Sequence, residues 1–330
     1  MEFALREKLL EILVGPVTGS PLTLRAAVGA GAHITEGELV SESTGQVYPI
    51  IRGIPRFVPA ENYAASFGKQ WNKFRQEQLD SAVGAPASQL RFDAEAGWTS
   101  AELSGKWLLD AGCGAGRFSE VVAARGPNLV SMDLSSAVDA TRETLGRYPN
   151  VDVVQASIFE PPFRPATFDF AYCIGVLQHT PDPPRATGSV VQLVKPGGRF
   201  ALTIYARQPW TKLNAKYLAR RLTRHLSNDT LLTAIETAMP VLFPATNILF
   251  RLPMLGRVAQ FTIPVANYVG RKDITRDQRY RETVLDTFDM LSPTFDLPMT
   301  DQEVESVLRG LGAQSWDFRT RVPINCVGVR

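Results

Sequence analysis

The chain has 330 residues, 45% of them hydrophobic, with 35 basic and 33 acidic side chains. That length suits one ordinary domain with large additions, or two domains, and the near-neutral balance argues against nucleic acid as a partner. Three cysteines, Cys113, Cys173 and Cys326, are too few and too scattered for a disulfide framework or a metal site.

In chain order, Met1 to Val14 mixes Glu2, Arg6, Glu7, Lys8 and Glu11 among apolar residues. That is not a signal-peptide pattern, so a reducing cytoplasm is the expected compartment. Residues 1–58 read as a small β-rich module. Its stretch Gln46-Val-Tyr-Pro-Ile-Ile-Arg-Gly-Ile-Pro55 resembles the end of a zinc-ribbon domain of the type that activates tRNA methyltransferases. In that family two Cys-x-x-Cys pairs hold zinc. Here the matching positions are Gly15 with Thr18 and Ser41 with Thr44. None supplies a thiolate, so no metal is expected. The module's core is then expected on Leu9, Leu10, Ile12, Leu13, Leu24, Leu39, Val47, Tyr48 and Ile50. An unrelated β-rich extension is the alternative.

Residues 59–104 read as a helical linker. Tyr63, Phe67, Trp71 and Phe74 recur at helical intervals and mark one face of a helix. Such a stripe is ordinarily core packing.

The most informative stretch is Trp107-Leu-Leu-Asp-Ala-Gly-Cys-Gly-Ala-Gly-Arg-Phe118. An apolar strand ends at Asp110 and breaks into glycines at 112, 114 and 116 before a helix begins. Glycine there permits positive φ and lets a ligand lie on bare backbone. The spacing is not that of the dinucleotide fingerprint. A second strand, Leu129-Val-Ser-Met-Asp133, ends in an acid suited to both hydroxyls of a ribose. Val151–Gln155 reads as a third strand, Phe168–Ile174 as a fourth, and Arg199–Tyr205 as a fifth after the turn Leu193-Val-Lys-Pro-Gly-Gly198. In this order the pieces resemble the class I S-adenosylmethionine-dependent methyltransferases, over about residues 105–205.

The resemblance implies a Rossmann-like seven-stranded α/β sheet and S-adenosylmethionine as cofactor. It assigns the cofactor site to Asp110, Gly112, Cys113, Gly114, Gly116, Phe118, Asp133, Leu134, Ser157, Ile158, Ile174 and Gly175. Asp110 is expected near the ammonium of the methionine portion. Ser157 stands where the family often has an acid for the adenine amine. The segment before the first strand often closes over the cofactor in this class, which gives Gln70 and Trp71 a second reading as a lid.

Residues 206–290 form an insertion. From 205 to 281 it carries thirteen basic and four acidic residues, a surplus of about nine, around a markedly apolar middle, Leu231 to Tyr268. Prolines 240, 244, 253 and 264 are expected to cut that middle into pieces too short to span a bilayer. It reads as a helical cap with an apolar underside and a basic rim. Three roles stay open for it: shaping a pocket for an anionic or partly lipophilic small molecule, forming a homodimer surface, or resting on an anionic membrane surface through Lys212 to Arg224.

The chain returns in residues 291–330 with a helix Asp301–Arg309, N-capped by Thr300, and strands Ala313–Arg319 and Ile324–Val329. Chemistry is expected at the carboxyl ends of the fourth and fifth strands. His179 is the candidate base or substrate holder, with Tyr205 beside it. Gln178, Arg207, Asp289 and Tyr63 are the candidate substrate contacts. The reading is methyl transfer to O, N or C of a small molecule. Alternatives are an S-adenosylmethionine-binding partner without transfer activity, an enzyme using a modified sulfonium, and a tRNA modifier.

Overall fold

The computed structural model describes residues 4–30, 33–59, 61–271 and 274–330. Met1 and Glu2, named in the N-terminal pattern, and Lys272 and Asp273, counted in the insertion's charge, lie outside the described residues. The N-terminal module is a five-stranded sheet. It contains β1 (Leu5–Arg6), a one-turn helix α1 (Glu7–Leu10), β2 (Leu22–Ala30), β3 (His33–Ser41), β4 (Val47–Ile51) and β5 (Ile54–Pro55), in the order β1-β3-β4-β5 with β2 also paired to β3. Leu9, Leu13, Leu39, Tyr48 and Ile50 are buried, and Leu10, Ile12 and Leu24 are partly buried against them. Val47 departs from expectation. It is 48% exposed because, on a strand alternating its faces, Tyr48 takes the inward position.

At the zinc-ribbon positions hydroxyls converge instead of thiols. The Thr18 and Ser20 hydroxyls lie 3.1 Å apart and those of Ser20 and Ser41 2.9 Å apart. A Cβ on Gly15 would fall 2.9 Å from the Thr18 hydroxyl and 3.5 Å from that of Ser41. Ser20 thus links Thr18 and Ser41, two of the four positions.

The short helices α2 (Ala65–Lys73), α3 (Asp80–Val83), α4 (Ala87–Glu95) and α5 (Ser100–Leu103) lead into the main sheet. Its strands and helices alternate: β6 (Trp107–Ala111), α6 (Arg117–Ala123), β7 (Asn128–Asp133), α7 (Ala137–Leu145), β8 (Val151–Gln155), β9 (Phe168–Ile174), α8 (Pro183–Leu193) and β10 (Val194–Ile204). The cap follows, as α9 (Ala215–Thr223), α10 (Asn228–Leu249), α11 (Leu255–Thr262) and α12 (Arg276–Leu291). The chain ends with α13 (Asp301–Gly310), β11 (Ser315–Arg321) and β12 (Ile324–Val329). The seven strands lie in the order β11-β12-β10-β9-β6-β7-β8. Strands β8, β7, β6, β9 and β10 run parallel, β12 lies antiparallel to β10, and β11 antiparallel to β12. Direction along the sheet reverses between β6 and β9, so a crevice opens at their carboxyl ends. Thr300 caps α13 with the reciprocal Glu303 bond.

Strand β8 would be an open edge, and the N-terminal module covers it. The Phe57 N–H donates to the Gln155 carbonyl at 2.8 Å, and Arg56 bridges Gln155 in parallel fashion. Beneath this seam Arg6 donates to the buried Asp152 carboxylate from its backbone N–H, Nε and Nη2, at 3.0, 2.9 and 2.6 Å. Burial raises the Asp152 carboxyl despite that pairing. Covering the edge removes a template for unwanted strand pairing.

The cap corrects one expectation. Pro240 and Pro244 do not divide the apolar segment; both lie inside α10, a continuous helix of 22 residues. They sit one turn apart on its exposed face, so the carbonyls they leave unbonded meet solvent. The opposite face packs Leu231, Leu232, Ile235, Met239 and Phe243 against Val284 and Phe288 of α12. By length and composition α10 is apolar enough to cross a membrane, and it is the one such helix among the described residues.

Candidate functional site

Strand β6 ends in a turn that glycine makes possible. Gly112 and Gly114 have φ of +90° and +54°. A Cβ on Gly112 would fall 2.5 Å from a Val176 methyl, and one on Gly114 3.1 Å from the Trp71 indole nitrogen. A side chain at Gly112 would collide with Val176, one at Gly114 would press on the Trp71 indole, and either would strain the backbone. Asp133, at the end of β7, reaches across: its Oδ2 accepts the Gly114 N–H at 3.0 Å, and its Oδ1 accepts the Ser135 N–H and hydroxyl at 2.8 and 2.7 Å. Burial raises its carboxyl above the usual range, against the pull of those donors.

Turn, strand ends and cap enclose a cavity of about 640 Å³. Of the residues expected at a cofactor site, Gly112, Cys113, Gly114, Phe118, Asp133, Leu134, Ile158, Ile174, Gly175, Gln70 and Trp71 line it. Tyr63, His179, Tyr205 and Asp289 line it as well.

Five expected residues do not. Asp110 is buried behind the turn, where its Oδ2 accepts the Ser119 and Tyr172 hydroxyls at 2.5 and 2.7 Å. Burial pushes its carboxyl up to about 7, with both donors opposing. Gly116 starts α6, packed toward Thr141, Thr144 and Leu145. The Ser157 hydroxyl accepts its neighbour Phe159's N–H at 3.2 Å, and Ala156 and Ile158 face the cavity instead. Gln178 is buried behind Tyr205, whose N–H it accepts at 3.3 Å. Arg207 turns outward to an ion pair with Glu303.

His179 sits between the rings of Phe67 and Tyr205, at centroid distances of 5.1 and 5.6 Å. Its Nδ1 is 3.1 Å from the Phe295 carbonyl, which can only accept, so that nitrogen carries the proton and Nε2 of the neutral ring is the bare one. Tyr205 lies beneath the Lys216 ammonium, 5.1 Å from the ring centre. Although 36% of its surface is accessible, burial of the phenol and then Asp289, Tyr268 and Asp296 push its ionisation well above the usual range.

The sequence singled out Asp289 among the cap's acids but expected an apolar underside, and the structure puts further acids on that wall. Helix α12 presents Glu282, Asp286 and Asp289 to the cavity, joined by Asp296 beyond its end. Burial, then Asp289 and Glu282, push the Asp286 carboxyl up to about 8. Lys216 pairs with Asp296 at 2.8 Å and Arg271 with Glu282 at 2.7 Å. Gln70 Nε2 donates to Asp289 at 3.1 Å, while its buried Oε1 has no partner among the described residues. Asp286 and Asp289 lie three residues apart, a helical spacing whose inward phase only the packing of α12 reveals.

Residues 109–202 match the family described as a methyltransferase domain, and residues 6–53 match the Trm112p-like proteins. The chain carries a class I S-adenosylmethionine-dependent methyltransferase domain. S-adenosylmethionine is the cofactor of that domain. The chain is 34% identical over 131 residues to a ubiquinone biosynthesis O-methyltransferase of Pseudomonas aeruginosa (strain UCBPP-PA14), a match covering 38% of this chain and 56% of the relative. It is equally 34% identical over 129 residues to the protein of that name in Dechloromonas aromatica, covering 37% and 56%. The chain thus spans about half the length of the curated relatives it matches. Among solved structures, the CurJ carbon methyltransferase is similar at 14% identity and a TM-score of 0.43, covering 82% of this chain and 61% of that one. The methyltransferase domain and the Trm112p-like module here share one polypeptide and one core.

Proposed function

We propose that the chain transfers the methyl group of S-adenosylmethionine to a small acceptor held between the glycine turn and α12. The observation that carries this reading is the cavity, which has the bare glycine turn and Asp133 on one side and the cap's side chains on the other. The cofactor fits these residues. Gly112 and Gly114 present bare backbone to the cavity, and Asp133, whose Oδ1 is taken by Ser135, keeps a lone pair on Oδ2 for a ribose hydroxyl. Leu134 and Ile158 supply apolar contacts for the adenine, and Asp289 on α12 suits a cation. When bound, the cofactor would supply an electrophilic methyl on a sulfonium whose sulfur keeps the electrons of the broken carbon–sulfur bond and leaves as a neutral thioether.

The chain's own residues then align the acceptor and move its proton. His179 Nε2 takes the proton from the attacking hydroxyl or amine as its lone pair forms the new bond. Tyr205 remains a phenol and donates a hydrogen bond. Alignment supplies much of the acceleration. Among the described residues, seven acids line the cavity against four bases, Arg91, Arg117, Lys216 and Arg271. This balance, with Arg207 engaged outside, favours a neutral or hydrogen-donating acceptor over an anionic one.

Incubation with methyl-labelled S-adenosylmethionine and a small-molecule extract, read by mass spectrometry, tests the reading. Label in a low-mass product, lost in the Asp133→Ala protein, is the expected result. Cofactor binding without label in any product would refute transfer.

A further inference from the structure

The outer surface of the cap is unlike the rest of the molecule. Thirteen of the 21 large apolar side chains that stand exposed among the described residues fall between Trp210 and Tyr268. Helix α9 shows how they are arranged. Its inner side sends Lys216 to Asp296 and Arg220 to the Pro293 carbonyl at 2.6 Å. Its outer side leaves Leu218 and Leu222, one turn apart, 53% and 77% exposed, with Leu226 at 45% continuing the row. Helix α11, which packs on α9, buries only Gly256, and its Leu255 and Val258 face out. Met254 before it is 87% exposed.

Charge accompanies these apolar groups and has one sign. Residues 206–226 and 247–271 have no acid. Of their cations, Arg207, Lys216, Arg220 and Arg271 are engaged with Glu303, Asp296, the Pro293 carbonyl and Glu282. Lys212, Arg221, Arg224, Arg251 and Arg257 are exposed. A second copy of the chain is a poor occupant. A two-fold contact would set each arginine-bearing segment against its own copy, with no carboxylate in either to neutralise it. A bilayer with anionic headgroups offers hydrocarbon to the leucines and phosphates to the guanidinium groups at the same depth. Helix α10 is held to the protein by Leu231, Leu232, Ile235, Met239 and Phe243, packed against α12, and its Val241, Ile248 and Leu249 add to the exposed apolar groups.

We infer that the face built by α9, α11 and the α10–α11 turn docks in plane on an anionic membrane surface. Docking there places the bilayer one helix away from the cavity wall that Lys216 lines. The inference does not depend on methyl transfer and is tested without it.

The experiment is flotation of the full chain with vesicles of phosphatidylcholine alone and of equal parts phosphatidylcholine and phosphatidylglycerol. Partition into the anionic vesicles should be at least about tenfold greater, and should fall several-fold when salt is raised. The double variants L218S/L222S and R221E/R224E should each lose at least about tenfold of that partition. Unchanged circular dichroism melting would show that both still fold. No partition, equal partition into both vesicle types, or full partition by both folded variants would overturn the inference. A dimer in sedimentation that L218S/L222S disperses would assign the face to a second copy and overturn it equally.

Discussion

Replacing Asp133 with Asn separates what this residue does for the fold from what it does for the cofactor. In the parent its two oxygens accept three donors: the Gly114 N–H, the Ser135 N–H and the Ser135 hydroxyl. An amide keeps one accepting oxygen. Turned toward Ser135, which offers two donors, it faces the Gly114 N–H with its own NH₂ and leaves that donor unsatisfied. The cost is about 1–3 kcal/mol of stability. The second loss falls on the ligand. Hydrogen bonds from ribose hydroxyls to a carboxylate are worth about 1.5–3 kcal/mol, so affinity should fall by roughly ten- to a hundredfold. Thermal melting of the free protein reads the first effect, and titration calorimetry with S-adenosylmethionine reads the second. A lowered Tm with unchanged affinity would refute the ribose assignment and leave Asp133 as a buttress of the glycine turn.

Replacing Gly114 with Val should weaken cofactor binding by at least about tenfold, since the added carbons meet the Trp71 indole and the φ of +54° opposes a branched residue; wild-type calorimetry would contradict the turn's role. His179→Ala should lower kcat by about 10²–10⁴ if Nε2 is the base, whereas a raised KM with kcat unchanged would show that it only binds. The Asp286 carboxyl, at about 8 against an ordinary 3.8, holds its proton more tightly folded than unfolded. Its contribution therefore makes stability fall as pH rises from about 4 to about 8, and denaturation of Asp286→Asn at several pH values should show that part of the slope removed. Arg6→Ala strips the buried Asp152 of its partner and should cost about 3–5 kcal/mol in chemical denaturation; a loss under 1 kcal/mol would mean that the docked module contributes little to the core.

Local pattern made the sheet legible. Apolar runs bounded by turn residues identify the five parallel strands, and the glycines mark the ligand-bearing turn because positive φ is a property of single residues. The Thr300 capping box and the helical character of the cap are legible on the same short-range grounds. What escaped the sequence is decided by packing between distant segments. Asp110 looks like a ligand contact beside the glycines, yet Tyr172, 62 residues on, bonds its carboxylate away from the cavity. Arg207 looks like an anion hook until Glu303, 96 residues on, draws it outward. Pro240 and Pro244 read as breaks because propensity is local, but α12 buries enough of α10 to hold one helix across both. The cap's net positive charge is a matter of composition; that Glu282, Asp286 and Asp289 face the cavity while Arg221, Arg224, Arg251 and Arg257 face out depends on the rotation of each helix about its axis, which is set by the surface it packs against.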